Sequence, residues 1–96
     1  MIHITFNAFS FLREKLKAQG IPYVNAPMEL PKGITPNQII KNLNFKDEEV
    51  EAVFINGVVL PKDTILKEGD RLALLPPGTP GSYRLMLGIK QEEGDF

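Results

Sequence analysis

The sequence predicts an α+β fold, a mixed sheet of five strands with helices packed on one face. Along the 96 residues the patterns follow the order strand, helix, strand, helix and then three strands. When helices separate the first strands from a later hairpin, the usual result is a mixed sheet with a single layer of helices on one face. A hydrophobic content of 43% in a chain of this length suits one compact core.

Two strand patterns lie in the first third of the chain. Ile2–Phe6 alternates apolar and polar residues, which is typical of a strand with one buried face, and His3 falls on the solvent side. Tyr23–Leu30 reads as a second strand with Glu29 outward, and Pro27 restricts it to a sheet edge because proline cannot donate to a ladder.

The segment between these strands predicts a first helix of about ten residues. Ser10 is placed to N-cap it, Leu12 and Leu16 share a face with Phe9, and Gly20 provides a C-terminal stop.

The second helix has the clearest local signal. Thr35 as N-cap and Gln38 three residues later form a capping box in front of a helix over Pro36–Leu43, which begins with a favourable proline. Asn42 or Asn44 can end it in a left-handed turn.

The second half of the chain predicts a hairpin and a central strand. Val50–Ile55 and Val58–Leu60 flank Asn56-Gly57, the preferred pair for a two-residue turn, and Lys46–Glu49 is interpreted as a solvated charged turn. The apolar run Leu72–Leu75 predicts a strand buried on both faces, which Pro76-Pro77 ends.

Composition excludes several functional classes. The net charge is −1 with 11 scattered basic residues, so we expect no nucleic-acid partner. The absence of cysteine excludes disulfides and thiolate metal sites, and no apolar segment is long enough for a membrane. We expect a cytoplasmic protein without a signal peptide. Neither the single histidine, His3, nor the carboxylates Glu48, Glu49 and Glu51 predict a metal or catalytic site, and we expect neither in the chain.

Four segments in this order and spacing resemble the β-grasp sulfur-carrier family, the ubiquitin-like proteins that include the molybdopterin synthase small subunit and the thiamine-pathway sulfur carrier. The resemblance runs from Ile2 to about Pro77 and is carried by Phe9–Glu14, Leu30–Thr35, Val53–Gly57 and Leu66–Pro77.

The resemblance implies a carrier and not an enzyme. In the family, a C-terminal Gly-Gly is adenylated by an ATP-using, E1-like activating enzyme and becomes a thiocarboxylate that donates sulfur to a cofactor precursor. The resemblance implies that the chain itself binds no cofactor. It also implies a second partner, a protein like the molybdopterin synthase large subunit. The partner-binding residues implied are Ala73, Leu75, Pro76, Pro77, Gly78, Thr79 and Pro80.

The sequence departs from the family at this end. The terminal diglycine aligns with Pro80-Gly81, and fifteen residues follow. Gly81 can therefore accept sulfur only after cleavage. We expect a domain over residues 1–81 and an extension over 82–96, with a sixth strand at 83–89 and a frayed acidic end. The alternative is an interaction module whose extension mediates assembly, in cis or in a homodimer, or blocks the tail.

Overall fold

The structure, a computed structural model, describes residues 1–77. Five strands form one mixed sheet in the order β2-β1-β5-β3-β4. The strands are β1 (Ile2–Ala8), β2 (Ala26–Leu30), β3 (Ala52–Ile55), β4 (Val58–Leu60) and β5 (Arg71–Leu75), and the helices are α1 (Leu12–Ala18), α2 (Pro36–Asn42) and a 3-10 turn at Asp47–Glu49. The predicted α+β class is confirmed. The predicted sixth strand at 83–89 lies outside the described residues.

The main core lies between one face of the sheet and the two helices. Alternation places every second residue of β1 on this face, and Leu72 and Leu74 of β5 join them with no exposed surface. Leu12 and Leu16 of α1 and the paired isoleucines of α2 pack against them. We call the opposite side of the sheet the open face, because no helix of residues 1–77 packs on it.

The strand predictions are largely confirmed. Asn56 and Gly57 have φ angles of 56° and 83°, which fits the predicted two-residue turn between β3 and β4. β2 is an edge strand that contains Pro27, as expected, but it begins at Ala26 and not at Tyr23. The preceding Asn25 has a φ of 46°, a left-handed conformation that no strand can include.

The prediction for the start of α1 is wrong. Ser10 has a φ of 58°, whereas an N-cap residue is extended, and the helix begins only at Leu12 without a side-chain cap. The chain turns sharply out of β1 here, and the Nε atom of Arg13 spans the turn by donating to the Ala8 carbonyl at 2.7 Å. The predicted stop is confirmed: Gly20 has a φ of 74°, and Ile21 N–H donates back to the Leu16 carbonyl in a Schellman arrangement.

The prediction for α2 is confirmed in detail. Thr35 Oγ1 accepts from the backbone N–H of Gln38, and the Gln38 side chain accepts from the N–H of Thr35, which completes the capping box. Asn44 ends the helix with a φ of 66°. The charged segment that follows is the predicted turn: Lys46, Asp47 and Glu48 are exposed, and half-buried Glu49 accepts through its Oε1 from Lys46 N–H at 2.7 Å.

No helix within residues 1–77 has the length and apolar character needed to span a bilayer.

Candidate functional site

The candidate site is built on β5, the strand that leads to the C-terminal tail. β5 is parallel to β1 and antiparallel to β3, so its backbone is bonded on both sides. The ladder extends to its last residue, where Glu51 N–H donates to the Leu75 carbonyl at 2.8 Å. The position from which the chain leaves the sheet is therefore fixed by two neighbouring strands.

A polar network fixes the beginning of the same strand. The side-chain amide of Asn56 donates to Asp70 Oδ1 at 2.9 Å, and its oxygen accepts from Arg71 N–H at 3.0 Å. Asp70 Oδ2 accepts from Lys67 N–H at 2.8 Å. Because Asn56 lies in the β3–β4 turn, this network holds the hairpin and the entry to β5 in one register.

The network continues across the open face toward β1 and β2. Arg71 Nη2 donates to Asn25 Oδ1 at 3.1 Å, and Asn25 N–H donates to Asn7 Oδ1 at 2.8 Å. These three side chains line a surface depression of about 200 Å³ together with Phe9, Phe54, Gly57, Leu72 and Ala73. A depression with one cation and two amides over an apolar floor suits contact with a polypeptide more than enclosure of a cofactor.

The open face is divided into a polar and an apolar half. Register places His3, Thr5 and Glu29 on the β1–β2 half. The β5–β3 half carries an apolar group that we call the open-face patch: Phe9, Ala52, Phe54, Ala73 and Leu75. Phe54 is 2% exposed and Leu75 has no exposed surface, although both lie outside the main core cluster.

The structure brings together the predicted partner-binding residues that it describes. Ala73 and Leu75 lie on the open face, Pro76 is buried at the end of β5, and Pro77 is exposed. The remaining predicted site residues, Gly78, Thr79, Pro80 and the acceptor Gly81, lie outside the described residues.

The one histidine, His3, lies beside two exposed carboxylates on the polar half. Its ring nitrogens lie 3.7 Å from Glu29 Oε2 and 3.3 Å from Glu68 Oε2. The backbone N–H of His3 donates to Glu68 at 2.9 Å, and this bond lowers the pKa of Glu68 below its ordinary 4.5. Within residues 1–77, no group of three or more histidine or carboxylate side chains could hold a metal ion.

Sequence reasoning missed two parts of this site. The sequence predicts only a turn role for Asn56, and nothing in it indicates that Asn56 and Asp70 meet across fourteen positions. Phe9 was placed on the α1 face, but it lies on the open face with the Arg13 guanidinium 5.2 Å from its ring centre. The sequence contains a signal for this position of Phe9, because Phe9 continues the alternation of His3, Thr5 and Asn7, which lie on the open face.

A last strand at the centre of a mixed sheet, from which the chain continues into a C-terminal tail, is the arrangement of a β-grasp, ubiquitin-like protein. The chain belongs to the ThiS family, whose model matches residues 11–81, and this is a β-grasp sulfur-carrier family. Its members are small carrier proteins and not catalysts. A comparison with curated proteins gives no significant match.

Solved structures show the same fold. A proposed molybdopterin converting factor, subunit 1, from Pyrococcus furiosus is 22% identical with a TM-score of 0.60, and the match covers 80% of this chain and 99% of that one. The small archaeal modifier protein 1 of H. volcanii is 18% identical with a TM-score of 0.56, over 80% and 99% of the two chains. At these identities the likeness concerns the fold alone.

Proposed function

We propose that this protein is a cytoplasmic sulfur carrier in molybdenum or tungsten cofactor biosynthesis, or in a related sulfur-transfer route. One observation carries the proposal: the match to the ThiS family continues past β5 and ends at Gly81. That residue aligns with the terminal glycine on which such carriers are activated. The carrier unit is then residues 1–81, and residues 82–96 are an extension.

The carrier chemistry needs a free carboxylate at Gly81, so cleavage of the Gly81–Ser82 peptide bond comes first. An E1-like enzyme then uses ATP to adenylate the carboxylate with release of pyrophosphate, and a donor of sulfide-level sulfur displaces AMP to give a thiocarboxylate. A glycine suits this position because no side chain obstructs the approach to the acyl carbon. The fixed φ of Pro80 restricts how the tail enters the activating enzyme. A protein like the molybdopterin synthase large subunit is the proposed acceptor partner.

The test is intact-mass measurement on protein purified from its native host under cofactor-producing conditions. We expect a species that ends at Gly81, part of which has gained the mass difference between sulfur and oxygen. A matched Gly81→Val chain, with a side chain at the acceptor position, should yield no thiocarboxylate. Recovery of full-length protein alone under these conditions would refute the proposal.

The second candidate is a β-grasp interaction module without carrier chemistry. The observation that favours it is the proline at position 80, where the family has glycine, followed by fifteen more residues. A module of this kind keeps its C-terminus and acts through stable assembly. The same mass measurement separates the two, because the module remains full-length in every growth condition.

A further inference from the structure

We propose that residues 82–96 cover the open-face patch of their own chain and so compete with any partner for that surface. The first reason is burial. Phe54 and Leu75 together expose almost nothing to solvent, yet every helix of residues 1–77 packs on the other side of the sheet. Large side chains on a central strand stay in contact with water unless another element packs on them. Within residues 1–77 no helix packs on this side of the sheet, which makes residues 82–96 the proposed cover.

The second reason is the place from which the chain leaves the sheet. Leu75 ends β5 on the patch itself, and 19 residues follow Pro77. The five residues 78–82 can extend over about 16–18 Å. Crossing from β5 past β3 to β4 takes two strand spacings, about 10 Å. The connection is therefore long enough to return the chain over any part of the patch.

The third reason is chemical complementarity. Residues 83–89 supply four large apolar side chains: Tyr83, Leu85, Leu87 and Ile89. The patch offers the matching surface of two phenylalanines, two alanines and a leucine. The sheet edges are poorer destinations, since β2 contains Pro27 and β4 is only three residues long. A short tether also gives the segment an effective concentration of order millimolar, which favours its own chain over a second copy.

The consequence for partner docking rests on the proposed function. A carrier's partner must reach both the tail and the sheet surface beside it. One cut after Gly81 would then free the acceptor carboxylate and, on departure of the extension, the open-face patch. The uncut chain would be inactive in both respects.

The test uses the absence of cysteine from the chain, which makes a single introduced thiol a clean reporter. Ala73→Cys places the thiol at the centre of the patch, and Lys17→Cys on the exposed side of α1 is the control. In the full chain we expect Ala73→Cys to react with a thiol reagent at least tenfold more slowly than the control. Adding Leu85→Ser and Leu87→Ser should remove most of that protection. Equal rates at the two positions, or protection that the tail substitutions leave unchanged, would overturn the proposal.

Two further measurements keep the test independent of folding defects and of carrier chemistry. Protection should not depend on protein concentration, whereas a rise with concentration would assign the patch to a second copy and refute cover in cis. In the unaltered chain, NMR should show contacts between the Leu85 or Leu87 methyl groups and the Phe54 ring within one molecule. Their absence, or their appearance only between labelled and unlabelled copies, would also overturn it. No activating enzyme is present in these experiments, so they can fail or succeed whatever the mass measurement shows.

Discussion

Asn56 offers a sharp test of how the entry to β5 is held. It is exposed in a hairpin turn, and its side chain makes two hydrogen bonds to the segment at Asp70-Arg71 while its backbone has a φ of 56°. The contributions of side chain and backbone can be separated by two substitutions. Asn56→Gly removes the hydrogen bonds and keeps the left-handed conformation accessible, whereas Asn56→Ala removes the bonds and adds backbone strain.

The expected losses follow from these contacts. Two exposed hydrogen bonds at the lower end of the usual range are worth about 1–2 kcal/mol of unfolding free energy together. An alanine in the left-handed region adds about 1 kcal/mol. Asn56→Ala should therefore be less stable than Asn56→Gly by about 1 kcal/mol, which is a difference of roughly 4–8 °C in melting temperature for a domain of this size.

Urea unfolding followed by circular dichroism measures both losses, and an unchanged m-value would confirm that only stability has changed. Asn37→Ala, at an exposed position in α2, is the matched control and should stay within about 0.5 kcal/mol of the unaltered chain. If Asn56→Gly is as stable as the unaltered chain, the network does not hold β5. If Asn56→Ala equals Asn56→Gly, the backbone argument is wrong.

Three further predictions concern the cap, the core and pH. Thr35→Ala removes half of the capping box and should cost about 1 kcal/mol in urea unfolding; no loss would mean that the box is dispensable. Leu74→Ala, at a position with no exposed surface, should cost about 2–5 kcal/mol, whereas Val59→Ala, at a position 49% exposed, should cost much less; similar losses would contradict the assigned faces. The lowered pKa of Glu68 contributes stability above about pH 4.5 that is lost as the pH falls through the folded-state pKa, so Glu68→Gln should show a smaller acid-induced drop in urea midpoint; an identical drop would refute the contribution.

The features that the sequence predicts well depend on short-range chemistry. Asn56-Gly57 predicts its turn because few residues tolerate two successive positive φ angles. Thr35 and Gln38 predict the start of α2 because both capping bonds form within one turn. The run Leu72–Leu75 predicts a central strand because a strand with neighbours on both sides suits consecutive apolar residues, and β5 does lie between β1 and β3.

The features that were missed depend on the path of the chain in space. Ser10 has the right residue type for an N-cap, but the turn out of β1 forces a left-handed backbone on it, which no local pattern indicates. The candidate site likewise has a part that short-range patterns predict and a part that depends on the path of the chain. The presence of Ala73 and Leu75 on one face follows from alternation, whereas the network of Asn25, Asn56 and Arg71 joins three distant segments and depends on the sheet order.

The central position of β5 has a consequence for how the chain folds. β1 and β3 are not paired with each other, so until β5 is in place the strands can pair only as two separate two-stranded ribbons, β2-β1 and β3-β4. Ribbons of that size are marginal in water on their own. The parallel pairing of β1 with β5 joins residues 5–8 to residues 71–74, a long-range closure that slows folding. The nascent chain therefore cannot complete its domain until translation has passed Leu75. A product that stops earlier lacks the strand that joins the two ribbons into one sheet.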